Sequence, residues 1–336
     1  MTERRTVLVT GAAGHVGAEV VHRLATRGHD VVALVHDRME IVANNGRRVR
    51  NVPVLRGDVR RASFGLDTLA GLTDRIGLIV HCAAVTDFGL PEHRYTELNV
   101  DATANVLDVA RSWGAGVIYV STAYVCGDAD GIFREDQLDI GQRFGNHYEH
   151  SKFRAENLVR ESDLRWAVVR PGIVAGECRT GHSRVHKHIY QVVKLIAEGK
   201  LRTLPGNYAA TLALSPIGHV ADTLVGVAER FADNVGKTFH AVGANTVSLR
   251  SMSDVLAEYP SLRMADLVPP STFSPDDLDR IERGYFQKVG SLYTSYLQRR
   301  NEFDSANTRN LLGIAPPPIG AGYLRKILDS CLRTGY

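Results

Sequence analysis

The chain has 336 residues, of which 44% are apolar, 23% charged and 7% aromatic. These proportions exclude a disordered chain, a collagen and a disulfide-stapled mini-protein. Forty basic side chains against 37 acidic ones leave a net charge of +3, too even for the dense basic face of a dedicated nucleic-acid binder. The length suits two domains or one large α/β unit. An apolar run opens at Thr6, which leaves no room ahead of it for a signal peptide. No stretch reaches the roughly 18 apolar residues of a membrane span. Cys82, Cys126, Cys178 and Cys331 form no metal or redox pair spacing. A cytoplasmic chain with free thiols is therefore expected.

The first half alternates between two patterns. Val7–Thr10, Val31–Val35, Val52–Leu55, Leu78–Val80, Val117–Val120 and Ala167–Val169 are short apolar runs bounded by turn residues. Such runs suit strands buried on both faces of a parallel sheet. Between them, Val16, Val20, Val21 and Leu24 share one helical face, as do Val100, Ala104, Leu107 and Ala110. The repeated βα unit predicts a Rossmann-type, doubly wound α/β sheet. After Pro171 the rhythm is lost. Residues 172–336 read as a smaller mixed α/β region with C-terminal helices, set against a dinucleotide-type domain at 1–171. Within it, Thr238–Val242 is a possible strand and Asp276–Arg300 an amphipathic helix.

A glycine loop, Gly11-Ala12-Ala13-Gly14-His15-Val16-Gly17, follows the first strand and opens the first helix. Gly11 permits the turn, Gly14 lets backbone approach a pyrophosphate, and Gly17 allows tight helix–strand packing. The helix N-terminus then offers free N–H groups to phosphate. At the end of the second strand an acidic residue would select NAD. Val35 stands there, with His36 and Arg38 just beyond, so NADP(H) is favoured over NAD(H). A one-residue shift would instead make Asp37 the ribose ligand.

Tyr148 and Lys152 are four apart and share a face if the stretch is helical. A lysine ammonium beside the phenol lowers its pKa and makes it a proton donor and acceptor. Ser121-Thr122 ends the fifth strand, where open α/β sheets bind ligands. Thr122, Tyr148 and Lys152 are the expected catalytic trio.

Together these residues resemble the extended short-chain dehydrogenase/reductase family. The likeness rests on Thr10 to Gly17, Gly57-Asp58-Val59, His81-Cys82-Ala83-Ala84, Asn99-Val100, Val120 to Val125, Tyr148 to Lys152 and Arg170-Pro171-Gly172. It implies adenine contacts from Asp58 and Val59 and a nicotinamide pocket lined by Ala83 and Ala84. It also implies support from Asn99, and further cofactor contacts from Lys152, Pro171, Gly172 and Val174. The segments around Thr122 and Tyr148, and Arg170 to Gly181, are closest to the fatty acyl and thioester reductase ("male sterility") branch. That branch implies a small-molecule or carrier-bound acyl substrate reduced by NADPH. Thr86, Tyr124, His182 and His186 are candidate substrate contacts. His182, His186 and His188 have metal-like spacing but lack an accompanying carboxylate pair, so no metal is expected. The resemblance also suggests a homodimer through the helices at Val100–Ala110 and Tyr148–Val159. Two other readings stand beside it: a sugar-nucleotide epimerase or dehydratase holding NAD, and a non-catalytic NADP-binding regulator.

Overall fold

A computed structural model describes residues 6–66 and 74–334. The five residues ahead of Thr6, read above as too short for a signal peptide, lie outside the described part. Six of the apolar runs form strands: β1 (Thr6–Thr10), β2 (Val31–Val35), β3 (Val54–Arg56), β4 (Ile76–His81), β5 (Gly116–Val120) and β6 (Trp166–Pro171). The third starts two residues later than its apolar run. Pro53 has no N–H for the ladder, although its carbonyl accepts from Ala33 N at 2.9 Å. A seventh strand, β7 (Lys237–Ala241), returns from the second half and pairs with β6, Phe239 opposite Val169. All pairs are parallel and the order is β3-β2-β1-β4-β5-β6-β7. The order reverses between β1 and β4, and the crevice at their carboxyl ends is where such a sheet binds ligands.

The longer helices are α1 (His15–Thr26), α2 (Ala102–Trp113), α3 (His147–Glu161), α4 (Ile189–Ala197), α5 (Ile217–Glu229), α6 (Leu249–Ala257), α7 (Arg280–Lys288) and α8 (Ala321–Thr334). Val20, Val21 and Leu24 of α1 join Val220 and Leu224 of α5 in a core on one face of the sheet. Val106 and Leu107 of α2 join Ala155 and Val159 of α3 on the other. Burial on both faces explains the unbroken apolar strands. Thus β7 joins the same sheet and α5 packs on its face, although both follow Pro171.

Beyond β6 the chain forms a second core with Leu201, Leu204, Leu212, Leu214 and Leu324. The expected helix over Asp276–Arg300 is shorter, with α7 followed by a 3₁₀ turn at Gly290–Tyr293. Asp279 caps the start, its Oδ1 accepting from Ile281 N and Glu282 N at 2.9 Å. Val289 (φ −131°, ψ −55°) leaves helical geometry, and a Cβ at residue 290 would come within 2.9 Å of the Phe286 ring. The chain turns there because glycine lets it pass. Among the described residues, no helix is long and apolar enough to cross a membrane.

Candidate active site

A cleft of about 670 Å³ runs along the carboxyl ends of β1, β2, β4 and β5. Its floor is the glycine loop. Gly11 has φ +64°, and a Cβ there would lie 2.7 Å from the backbone of Ala83. A Cβ on Gly17 would lie 2.3 Å from Gly11 O. The loop therefore folds tightly only because side chains are missing. Gly14 caps α1 with no side-chain hydrogen bond, so the helix's first N–H groups face an anion site. Ala13, Gly14, His15, Val16 and Gly17 all line the cleft. The cradle fits the diphosphate of a dinucleotide.

The second-strand end forms one pole. His36, Arg38, Asp58, Val59 and Arg60 line it, and Asp37 does not. Asp37 is largely exposed and meets His36 Nδ1 at 3.1 Å. Asp58 is clamped by Arg60 at 2.6 Å, which holds its carboxyl down at about 2. Arg60 also reaches Glu97 at 3.0 Å. This arginine was not anticipated; its place beside Asp58 in sequence was the available signal.

The other pole carries the hydroxyls. Thr122 ends β5, and its Oγ1 donates to Pro171 O at 3.3 Å and accepts from Tyr124 N at 3.3 Å. Asn146 caps α3, its Oδ1 accepting from Glu149 N at 2.9 Å, which sets Tyr148 in the first turn. Thr122 and Tyr148 both line the cleft. Burial raises the Tyr148 pKa, and a hydrogen bond with Thr122 opposes that rise. Lys152 is buried behind them. Its Nζ donates to Val120 O at 2.7 Å and lies 4.2 Å from the Tyr119 ring centre. Desolvation lowers its pKa to about 7, against the attraction of Glu156.

Ala83, Ala84, Thr86, Tyr124, Gly172 and Val174 also line the cleft. Asn99 lies outside the lining. Its Oδ1 accepts from Val85 N at 2.8 Å and its Nδ2 donates to Ser151 Oγ at 2.9 Å, bracing the loop after β4 against α3. Pro171 and Lys152 stand outside the lining, Pro171 behind Thr122, which it meets through its carbonyl, and Lys152 on the Val120 carbonyl. His81 is a satisfied core histidine between Thr10 Oγ1 at 2.8 Å and Thr103 Oγ1 at 3.2 Å. Burial lowers its pKa to about 3.

Two of the candidate substrate contacts lie away from this cleft. His182 faces a separate surface depression with Glu19, His22 and Glu177, and His186 packs its ring 5.1 Å from Tyr190. Neither lines the cleft. The segment ahead of α4 is a loop, and of its three histidines His188 is the one that lines the cleft. Among the described residues no group of His, Cys, Asp and Glu is arranged to hold a metal.

The roof is aromatic and was not anticipated. Phe88 stands 5.7 Å from Tyr148, 5.5 Å from His188, 5.1 Å from Tyr293 and 5.8 Å from Tyr296, ring centre to ring centre. Tyr124 packs edge-on to Tyr296 at 4.8 Å, and its hydroxyl accepts from Ala213 N at 3.1 Å. A carbonyl compound entering here would meet two hydroxyls at one end and an apolar, aromatic wall at the other.

Residues 9–224 match the model of the Male sterility protein family. The chain belongs to that family. It carries the extended short-chain dehydrogenase/reductase fold described above. It is 25% identical over 311 residues to the L-2-aminoadipate reductase large subunit of Penicillium chrysogenum, a match covering 81% of this chain and 22% of that protein. The chain thus spans about a fifth of that relative's length. Among solved structures it resembles the terminal R domain of the myxalamid PKS-NRPS biosynthetic pathway, with a TM-score of 0.83 and 24% identity. That superposition covers 98% of this chain and 91% of the other. MoeE5 in complex with UDP-glucose and NAD superposes with a TM-score of 0.71 at 21% identity, covering 98% of this chain and 100% of MoeE5. The same fold thus serves a PKS-NRPS R domain and a protein solved with UDP-glucose and NAD, so the fold by itself does not set the chemistry.

Proposed function

We propose that this chain is an NADPH-dependent reductase of acyl thioesters held on a carrier or on coenzyme A, yielding an aldehyde and, after a second round, an alcohol. The observation that carries this reading is the meeting of Thr122 and Tyr148 with the glycine cradle in one cleft. The aromatic roof and the family membership favour an acyl group over a sugar there. When bound, NADPH supplies the hydride. Thr122 and Tyr148 hold the carbonyl oxygen from one side, and the Tyr148 hydroxyl gives its proton to that oxygen as the carbon is reduced. The Lys152 charge, fixed on Val120 O, stabilises the resulting phenolate. That phenolate takes the proton back as the carbon–sulfur bond breaks, leaving aldehyde and thiolate.

NADP is favoured over NAD because His36 and Arg38 line the pole at the end of β2, whereas Asp37 is turned to solvent. In this reading residues 1–171 hold the cofactor and the catalytic trio. Residues 172–336 cover the substrate, apart from β7, which completes the sheet, and α5, which covers its face.

The test is NADPH oxidation against acyl-coenzyme A, acyl-carrier, ketone and sugar-nucleotide substrates, with free thiol followed in parallel. One thiol per NADPH is expected where reduction stops at the aldehyde, and one per two NADPH where it proceeds to the alcohol. Sugar interconversion with no net redox change would establish the epimerase reading instead. Absence of turnover across the whole panel would favour a regulator.

A further inference from the structure

The chain between Ala175 and α4 folds back across the glycine loop, and Asn44 fixes where it crosses. Asn44 N donates to Glu19 Oε2 at 2.9 Å, which anchors it to α1. Its Nδ2 donates to His182 O at 3.0 Å, and its Oδ1 accepts from Arg184 N at 2.9 Å. These bonds tie three distant segments together and bring Arg184 to the cleft wall that also holds Gly14 and His15. Arg184 Nε and both His15 ring nitrogens are buried and have no hydrogen-bond partner among the described residues. Unmatched buried polar atoms are costly. Here they lie beside an uncapped helix N-terminus, where a ligand rich in acceptor oxygens would satisfy them. Burial keeps His15 neutral by lowering its pKa to about 4, aided by the Arg184 charge, so its ring has one N–H to give.

We infer that Arg184 binds a diphosphate group lying over the glycine loop, with His15 as a second donor. The inference rests on the cofactor-cleft reading above, but not on the thioester one. Two sources carry that group: the dinucleotide itself and coenzyme A. The position beside the first turn of α1 favours the dinucleotide.

The test is equilibrium binding to the full chain, with no turnover needed. NADPH is titrated by fluorescence, and coenzyme A and pantetheine by calorimetry, on wild type, Arg184→Ala and Arg184→Lys. Thermal unfolding confirms that each variant is folded. The expected result is a Kd for NADPH raised about tenfold or more in Arg184→Ala, the loss of one charge-assisted hydrogen bond. Arg184→Lys should recover part of it, and the preference for coenzyme A over pantetheine should not change. An unchanged NADPH Kd with that preference lost would assign the diphosphate to coenzyme A. If neither changes, Arg184 is not a diphosphate ligand.

Discussion

Arg299 donates to both carboxylate oxygens of Glu149, at 2.9 and 3.1 Å, in a pair buried from solvent. Glu149 is the residue after Tyr148, and Arg299 lies 150 positions further along the chain. The fork joins the first turn of α3 to the segment that supplies Tyr293 and Tyr296 to the roof. The Tyr148 phenol and the aromatic roof are thereby held in one frame.

Breaking that pair leaves a buried charge without its partner, at a cost of about 3–5 kcal/mol. Arg299→Ala should therefore lower stability by that order in urea unfolding. The double change Glu149→Leu with Arg299→Met should lose much less, because no charge is stranded.

Gly17→Ala should weaken the cofactor cradle directly. Its Cβ would sit 2.3 Å from Gly11 O, so either the loop or α1 must shift. Overpacking of this kind costs about 1–3 kcal/mol. The expected outcome is a lower melting temperature together with a smaller stabilisation by added NADPH, both read in one thermal-shift titration.

Arg38→Ala should reduce NADPH affinity about tenfold and leave NADH affinity nearly unchanged, since a charge-assisted contact to phosphate is lost. Fluorescence titration with each nucleotide distinguishes this from general damage to the cleft. Equal losses for both would remove Arg38 from the 2′ end of the site.

Glu135 gives a pH signature away from the cleft. Its carboxylate accepts from His240 N at 2.8 Å and from Asn307 N at 2.6 Å, but desolvation still raises its pKa to about 7. The folded state thus holds a proton that the unfolded state releases near 4.5. Stability is fully present below that lower value and is lost as pH rises through about 7. Denaturant unfolding from pH 4.5 to 8 should show this decline in wild type and a flatter profile in Glu135→Gln.

Much of the sheet, and the meeting of Thr122 and Tyr148 in one cleft, was legible in the sequence because the signals are local. A buried parallel strand is an apolar run, a phosphate loop is a run of glycines between strand and helix, and Tyr148 and Lys152 share one helix. Phe88, Tyr293 and Tyr296 could not be read this way. They meet only because Arg299 and the second core bring residues 290–300 back over the loop after β4. His182 and His186 lie outside the cleft because the segment ahead of α4 is tied back through Asn44, and nothing in its own residues shows that course. β7 fell outside the expected sheet domain because its partner, β6, lies about 70 residues earlier in the chain, and nothing in its own residues names that partner.

The central claim is that Tyr148 is the proton donor in reduction of an acyl thioester. Its most direct test is thiol release from an acyl thioester with NADPH saturating, comparing wild type with Tyr148→Phe. NADPH affinity is measured on both proteins so that binding and chemistry stay separate. Equal NADPH binding and a turnover reduced by about 10²–10⁴-fold in the variant are expected. Thiol release at the wild-type rate from Tyr148→Phe would contradict it.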